Sequence, residues 1–232
     1  MKAIGLDGCR GGWLAAFAEN GSVYNIEMLT SLRQLRPELN TSIWVDMPLG
    51  LPAASEYPRQ VEALARQKLG KRRSSVFPVP CIEVLACRSY QEANLLHKQL
   101  TGAGLQKQSW FLFPKIKEVE SFSIESSVKE AHPEVLFADV NGEPLSASKK
   151  TNQGITQRLG LLKQLDPDIY SLFTKTVSLY PRKICARDDI IDASILAITA
   201  CHPEWRADGI DQHPDYSAEG HEMNMRTVKY IP

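Results

Sequence analysis

No stretch of this 232-residue sequence holds the roughly 20 consecutive apolar residues that cross a bilayer as a helix. The N-terminus lacks the basic and apolar regions of a secretory signal and already reads as a strand, so a cytoplasmic protein is expected. Charge of one sign is lacking too. Lys and Arg number 27, as do Asp and Glu, which removes the overall basic character of many nucleic-acid binders and leaves only local patches to consider. Cysteine is scarce and poorly spaced: the five (Cys9, Cys81, Cys87, Cys185, Cys201) are odd in number and include no C-x-x-C pair, against both a disulfide framework and a zinc ribbon. Internal repeats and low-complexity tracts are absent.

What is present is ordinary for a water-soluble chain with a substantial core: 43% hydrophobic and 23% charged residues. Lys2 to Leu6 reads as a strand with little alternation, as expected of one covered on both faces, and Asp7 ends it. Gly11-Gly12 permits a reversal, Trp13 to Ala18 supplies a second strand, Asn20-Gly21 is a two-residue hairpin signal, and Val23 to Leu29 a third strand. Ser31 to Leu39 is long enough for a short helix. Ser42 to Val45 is a fourth strand, running into Asp46-Met47-Pro48-Leu49-Gly50-Leu51-Pro52, where the prolines forbid its continuation.

The next stretch is helical. Pro58 opens a helix carrying Val61, Leu64, Ala65 and Leu69, and Gly70 stops it. Ser89-Tyr90-Gln91-Glu92 is a capping box before Ala93, Leu96 and Leu100, with Gly102 at the end. A third helix runs from near Ser109 to Val119 despite Pro114. These define a helical insertion over residues 53–121 within one domain spanning 1–232. Ser127 to Ala131 reads as a fifth strand, and His132-Pro133-Glu134 begins a helix with proline in its first turn. Thr151 caps a helix with Ile155, Leu159 and Leu162 on its stripe. Asp166-Pro167 breaks it, a further helical turn or two covers Ile169 to Val177, and a helix carries Ala186 to Ile198. Asn224 to Tyr230 ends the chain as an edge strand.

On that last helix Ile191, Ile195 and Ile198 share one face, and Asp188, Asp189 and Asp192 share the adjoining face near its start. If the strands ending in Asp7 and Asp46 are neighbours, the helix can bring its acids to theirs. Carboxylates so grouped stay ionised only with compensating cations, and all-oxygen ligation favours Mg²⁺ or Mn²⁺. Two such ions about 3.5–4 Å apart are the usual arrangement for cleaving phosphodiesters. Capping and the macrodipole alone account for Asp188 and leave Asp189 open between cap and ligand. Asp46 taken alone reads as a turn residue. Asp192 is the hardest to explain structurally, lying a turn into the helix beside the apolar stripe.

Asp7 with its glycines, the Asp46 to Pro52 run, Arg73-Ser74-Ser75-Val76-Phe77, Pro114-Lys115-Ile116, Glu130-Ala131-His132-Pro133-Glu134, Ser148-Lys149-Lys150-Thr151 and Asp188-Asp189-Ile190-Ile191-Asp192-Ala193 together resemble an uncharacterised bacterial and archaeal family described as predicted RNase H-like nucleases, over nearly the whole chain. The acidic pattern is also similar to the RuvC-type resolvases. The resemblance implies an α/β fold, an RNase H-like mixed five-stranded sheet of order 3-2-1-4-5 with the second strand antiparallel, flanked by helices. It also implies that Asp7, Asp46, Asp189 and Asp192 hold metal. Aspartate at position 46 replaces the resolvases' glutamate and reaches one methylene less far.

Supporting roles fall to Glu130 and Glu134 as outer acids, the latter also explained by the helix dipole, and to His132 as proton donor or cap. Arg10 is a candidate phosphate contact. Lys68, Lys71, Arg72 and Arg73, with Lys149 and Lys150, form a candidate phosphate-binding group or a solvated face. Trp110, Phe111 and Phe113 are base-stacking candidates or core. Cys201, His202, His213 and His221 lack zinc spacing. The expected activity is two-metal hydrolysis of a nucleic acid of unspecified type. The alternatives are an actin-like phosphotransferase, for which the 40 residues after Asp192 leave no second domain, and a non-catalytic binding module.

Overall fold

In the computed structural model, which describes residues 1–123 and 127–231, the first three strands form an antiparallel meander. They are β1 (Lys2–Cys9), β2 (Gly12–Glu19) and β3 (Ser22–Leu29). Asn20 and Gly21 join β2 to β3 with φ of 50° and 85°, the two positive values that a hairpin matched to strand twist requires. β4 (Ser42–Val45) then lies parallel to β1, and β5 (Val128–Glu130) parallel to β4. The sheet order is β3-β2-β1-β4-β5, as expected, with β1 and β4 neighbours.

Among the described residues seven α-helices flank this sheet: α1 (Gln60–Leu69), α2 (Tyr90–Thr101), α3 (Lys107–Ser123), α4 (Pro133–Asn141), α5 (Asn152–Leu165), α6 (Ile169–Leu179) and α7 (Arg187–Cys201). Several ends follow from local chemistry. The Ser89 hydroxyl accepts from the Glu92 amide at 3.2 Å and Gly102 closes α2 in the left-handed region. Thr151 accepts from the Gly154 amide at 3.1 Å, and His132 Nδ1 from the Glu134 amide at 3.2 Å beside Pro133. His132 is therefore a helix cap.

Other local readings need correction. Ser31 to Leu39 contains only the 3₁₀ turn Leu32–Gln34, because Pro37 disfavours helical backbone at the residue before it. α1 begins at Gln60 rather than Pro58. α2 turns Ala93 and His97 inward and leaves Leu100 exposed. The final strand, β7 (Arg226–Tyr230), pairs chiefly with β6 (Trp205–Gly209) in a separate ribbon and touches β5's extension only through an Ala131–Arg226 bridge. β6 escapes a sequence reading because its middle residues are all exposed and carry no alternation.

Strand alternation splits the interior. Ile4, Leu6, Trp13, Ala15, Ile43 and Val45 face a core completed by α2, α3 and the loop before them. Ala3, Leu14, Ala16 and Trp44 face the opposite core, built with α4 to α7. α1 joins neither; it packs on α4 through Val61, Ala65, Leu69, Val135 and Ala138. The helices between β4 and β5 thus wrap around one end of the sheet.

α7 is the central element of its layer. Apart from Arg187, Asp189 and Ala200 every residue in it is buried, so the expected single apolar stripe is an underestimate. The sheet covers one side, and α4, α5 and α6 the other. Gly5 sets the distance. A Cβ there would lie 2.5 Å from the Ala197 amide nitrogen and closer still to the Ala193 carbonyl, so helix and strand meet backbone to backbone.

Candidate active site

The side-chain period of two places Ala3, Gly5 and Asp7 on the α7 face of β1, and Trp44 followed by Asp46 on the same face beside it. The parallel register pairs Leu6 with Val45, and the Asp46 amide donates to the Leu6 carbonyl at 2.9 Å, so the ladder carries the two aspartates side by side at the strands' C-terminal ends. α7 lies on Gly5 with its N-terminus toward Asp7. That contact brings Asp189 and Asp192 to the same place, and Asp7, Asp46, Asp188 and Asp189 line one cleft of about 510 Å³.

The carboxylates are poorly compensated. Burial drives the Asp7 pKa well above the ordinary aspartate value, and Asp46, Asp192 and Asp189 push it further while Lys149 opposes them. Asp192 is fully buried. Burial raises its pKa to about 7, with Lys149 pulling down and Asp46 pushing up. Its Oδ2 accepts from Lys149 Nζ at 2.5 Å, whereas Oδ1 is buried without a hydrogen-bond partner among the described residues. An unsatisfied buried carboxylate oxygen is costly and calls for an explanation. Asp189 commits Oδ2 to the Ala186 amide at 2.7 Å, so it is a cap as well as a cleft residue. Burial raises its pKa; the Ala186 bond works the other way and Asp188 adds to the rise.

Cations surround the acids. Burial works against the charge on Lys149, but Asp192, Asp46 and Asp7 outweigh it and hold its pKa above the usual lysine value. Lys150 Nζ pairs with Asp188 at 2.5 Å. From the other wall, Lys115 of α3 lies with Nζ 4.4 Å from the Trp13 ring centre and donates to the Gly12 carbonyl. A Cβ at Gly8 would sit 2.7 Å from Lys115 Cδ. Gly8 therefore makes room for this lysine. Burial lowers the Lys115 pKa, while Cys9, Glu118, Asp7 and Asp189 raise it.

Arg72 also lines the cleft; its Nη2 is 3.9 Å from Glu134, and its buried Nε has no partner among the described residues. Arg73 is exposed outside it, and Arg10 is exposed in the β1–β2 turn, away from the lining. Glu130 reaches the cleft wall but is held from behind. It accepts from Arg59 Nη1 and Nη2 at 3.0 and 2.9 Å and from the Leu49 amide at 2.8 Å. Burial raises its pKa to about 7, against the pull of Arg59. Glu134 accepts from Arg158 Nη2 and Nε, both groups fully buried. Phe113 is core, Trp110 half-buried beside it, and Phe111 exposed.

Sequence reasoning passed over Arg59, Arg158 and the contact made by Lys115. Arg59 and Glu130 lie 71 positions apart, Arg158 and Glu134 24, and Lys115 and Gly12 103, and only the Pro114-Lys115-Ile116 motif marks Lys115.

Among the described residues no group of three or more His, Cys, Asp and Glu side chains is placed so that it could hold a metal ion as the side chains stand. The donor chemistry nevertheless suits a hard cation: all-oxygen, buried, like-charged, with Asp192 Oδ1 unclaimed. The family model for protein of unknown function (DUF429) matches residues 5–218. The chain belongs to the DUF429 family. No curated protein and no solved structure matches it at a significant level. For DUF429 the shared region covers β1 to the polar tail and takes in every acid of the cleft. No described helix is long and apolar enough to cross a membrane.

Proposed function

We propose that the chain is a divalent-metal-dependent nuclease with an RNase H-like fold, hydrolysing phosphodiester bonds of a nucleic acid. The observation that carries this reading is the buried Asp192, whose Oδ1 has no partner while it shares the field of Asp7 and Asp46 at the ends of adjacent parallel strands. Asp7, Asp46, Asp189 and Asp192 would hold Mg²⁺ or Mn²⁺. The metal would supply a nucleophilic water and stabilise charge on the phosphorus oxygens. The protein's own part is positional. β1 and β4 fix two ligands through a backbone ladder, α7 fixes two more through its contact at Gly5, and Arg72 and Lys150 offer charge to the phosphate backbone along the rim.

The test is Mn²⁺-supported cleavage of single-stranded, duplex, hybrid and branched substrates by the wild type, Asp7→Asn and Asp192→Asn. Losses of about 10²-fold or more in both variants are expected, as for removal of a group that stabilises transition-state charge. Wild-type activity retained in both variants would refute the assignment.

A further inference from the structure

The Lys149 ammonium lies inside the acidic cluster rather than on its rim. Its Nζ lies 2.5 Å from Asp192 Oδ2 with the side chain only 27% exposed, and Asp46 and Asp7 act on it from the strand ends. The backbone that carries it is built to stay put. Thr151 donates its hydroxyl to the Ser148 carbonyl at 2.8 Å and its amide to the same oxygen at 3.0 Å, a turn around Lys149 and Lys150. Gly154 lets that turn close on α5, since a Cβ there would overlap the Ser148 carbonyl. Lys150, its neighbour, leaves the cluster for Asp188 with its side chain 68% exposed. The two adjacent lysines are thus sorted, one inward and one to the rim.

Two of the cluster's carboxylate oxygens are already engaged within the protein. Asp189 has one oxygen on its helix cap, Asp192 has one on Lys149, and Asp46 is a short acid on a backbone fixed by the ladder to Leu6. Mg²⁺ and Mn²⁺ in paired sites stand about 3.5–4 Å apart and share a bridging carboxylate or water. A dication so placed beside Asp192 would meet the ammonium's like charge at short range.

From this arrangement we infer that Lys149 fills the place of the second cation, so that the cluster takes one divalent ion and the lysine supplies the other positive charge to the phosphoryl oxygens. The inference rests on the metal-dependent reading above. It makes Lys149 a further residue of the site and accounts for the aspartate at position 46. No second, longer acid is needed where no second dication is held.

Manganese alone is the probe, with no nucleic acid present. Isothermal titration and electron paramagnetic resonance of the wild type should give one bound Mn²⁺ with the six-line spectrum of an isolated ion. Lys149→Met, which keeps the side chain as far as Cε and removes the ammonium, should bind two, with the exchange-broadened spectrum of a close pair; Lys149→Arg should bind one. Lys149→Gln serves as a second uncharged variant if the Met form does not fold, as judged by circular dichroism. Two ions in the wild type, or one in both the wild type and the uncharged variants, would overturn the inference and leave the metal-dependent reading standing. No ion in the wild type or any variant would overturn both.

Discussion

Gly5 and Ala193 touch through their backbones, and this one contact positions half of the acidic cluster. The Ala193 carbonyl lies where a Cβ on residue 5 would be, with Ala197 N and Leu196 Cβ 2.5 and 2.8 Å from the same point. The neighbouring atoms are helix backbone and cannot turn aside. Gly5→Ala should therefore lift α7 off β1 and cost about 3 kcal/mol, the upper end for overpacking a core. Urea unfolding measures it. A variant folding with unchanged midpoint would show that α7 is not seated as described.

The carboxylates make the metal-free protein sensitive to pH in a defined direction. Asp192 is held protonated in the folded chain up to about 7, whereas unfolded it ionises around 3.8. The folded state binds the extra proton, so stability is greatest below the lower value and falls as pH rises through the upper one. Asp7 acts in the same sense. Thermal melts across this window, in chelator, should show a midpoint that drops with rising pH, and Asp192→Asn should flatten the slope. A midpoint that climbs through the window would contradict a folded-state pKa raised by burial despite the Lys149 pair.

How much of this was visible beforehand depends on the range of the interaction. Asp46 directly follows β4, whereas Asp7 lies two residues inside β1, which runs on to Cys9 because Asp7, Gly8 and Cys9 still pair with β2; their neighbourhood follows once strand four is placed beside strand one, a matter of sheet order carried by the family resemblance. The hairpin at Asn20-Gly21 and the caps Ser89, His132 and Thr151 are set by residues within a few positions and were legible for that reason. Lys149 and Asp192 are 43 positions apart and Arg59 and Glu130 are 71 apart, and nothing local marks either pairing. Periodicity identified α7 as a helix but could not tell how many of its sides other elements would cover.

Arg59 is the strongest case for a purely structural charge near the site. Its guanidinium donates to Glu130, Glu62 and the carbonyls of Leu49 and Gly50, tying β5 to the chain that leaves β4. Burial opposes its charge, yet Glu130 and Glu62 hold the pKa above the usual arginine value. Arg59→Met would leave two buried carboxylates facing each other, and a loss of about 3–5 kcal/mol is expected on removing one partner of such a pair. Guanidinium chloride unfolding gives the value. A change below about 1 kcal/mol would mean that the acids take up protons without penalty and that Glu130 is freer than its contacts imply.

Arg72 and Arg10 offer opposite expectations for nucleic-acid binding. Arg72 stands in the cleft wall with only a long 3.9 Å contact to Glu134, so its guanidinium is not committed to a close ion pair. Arg10 is exposed in the β1–β2 turn outside the cleft lining. Each protein cation that neutralises a phosphate releases counterions and steepens the dependence of affinity on salt. Fluorescence anisotropy of a labelled oligonucleotide, titrated at several salt concentrations in calcium so that nothing is cleaved, reads that slope. Arg72→Ala should reduce it by about 1 and weaken binding whatever the base sequence, and Arg10→Ala should leave it unchanged. The reverse result would move the phosphate track from the Arg72 wall of the cleft to the turn after β1.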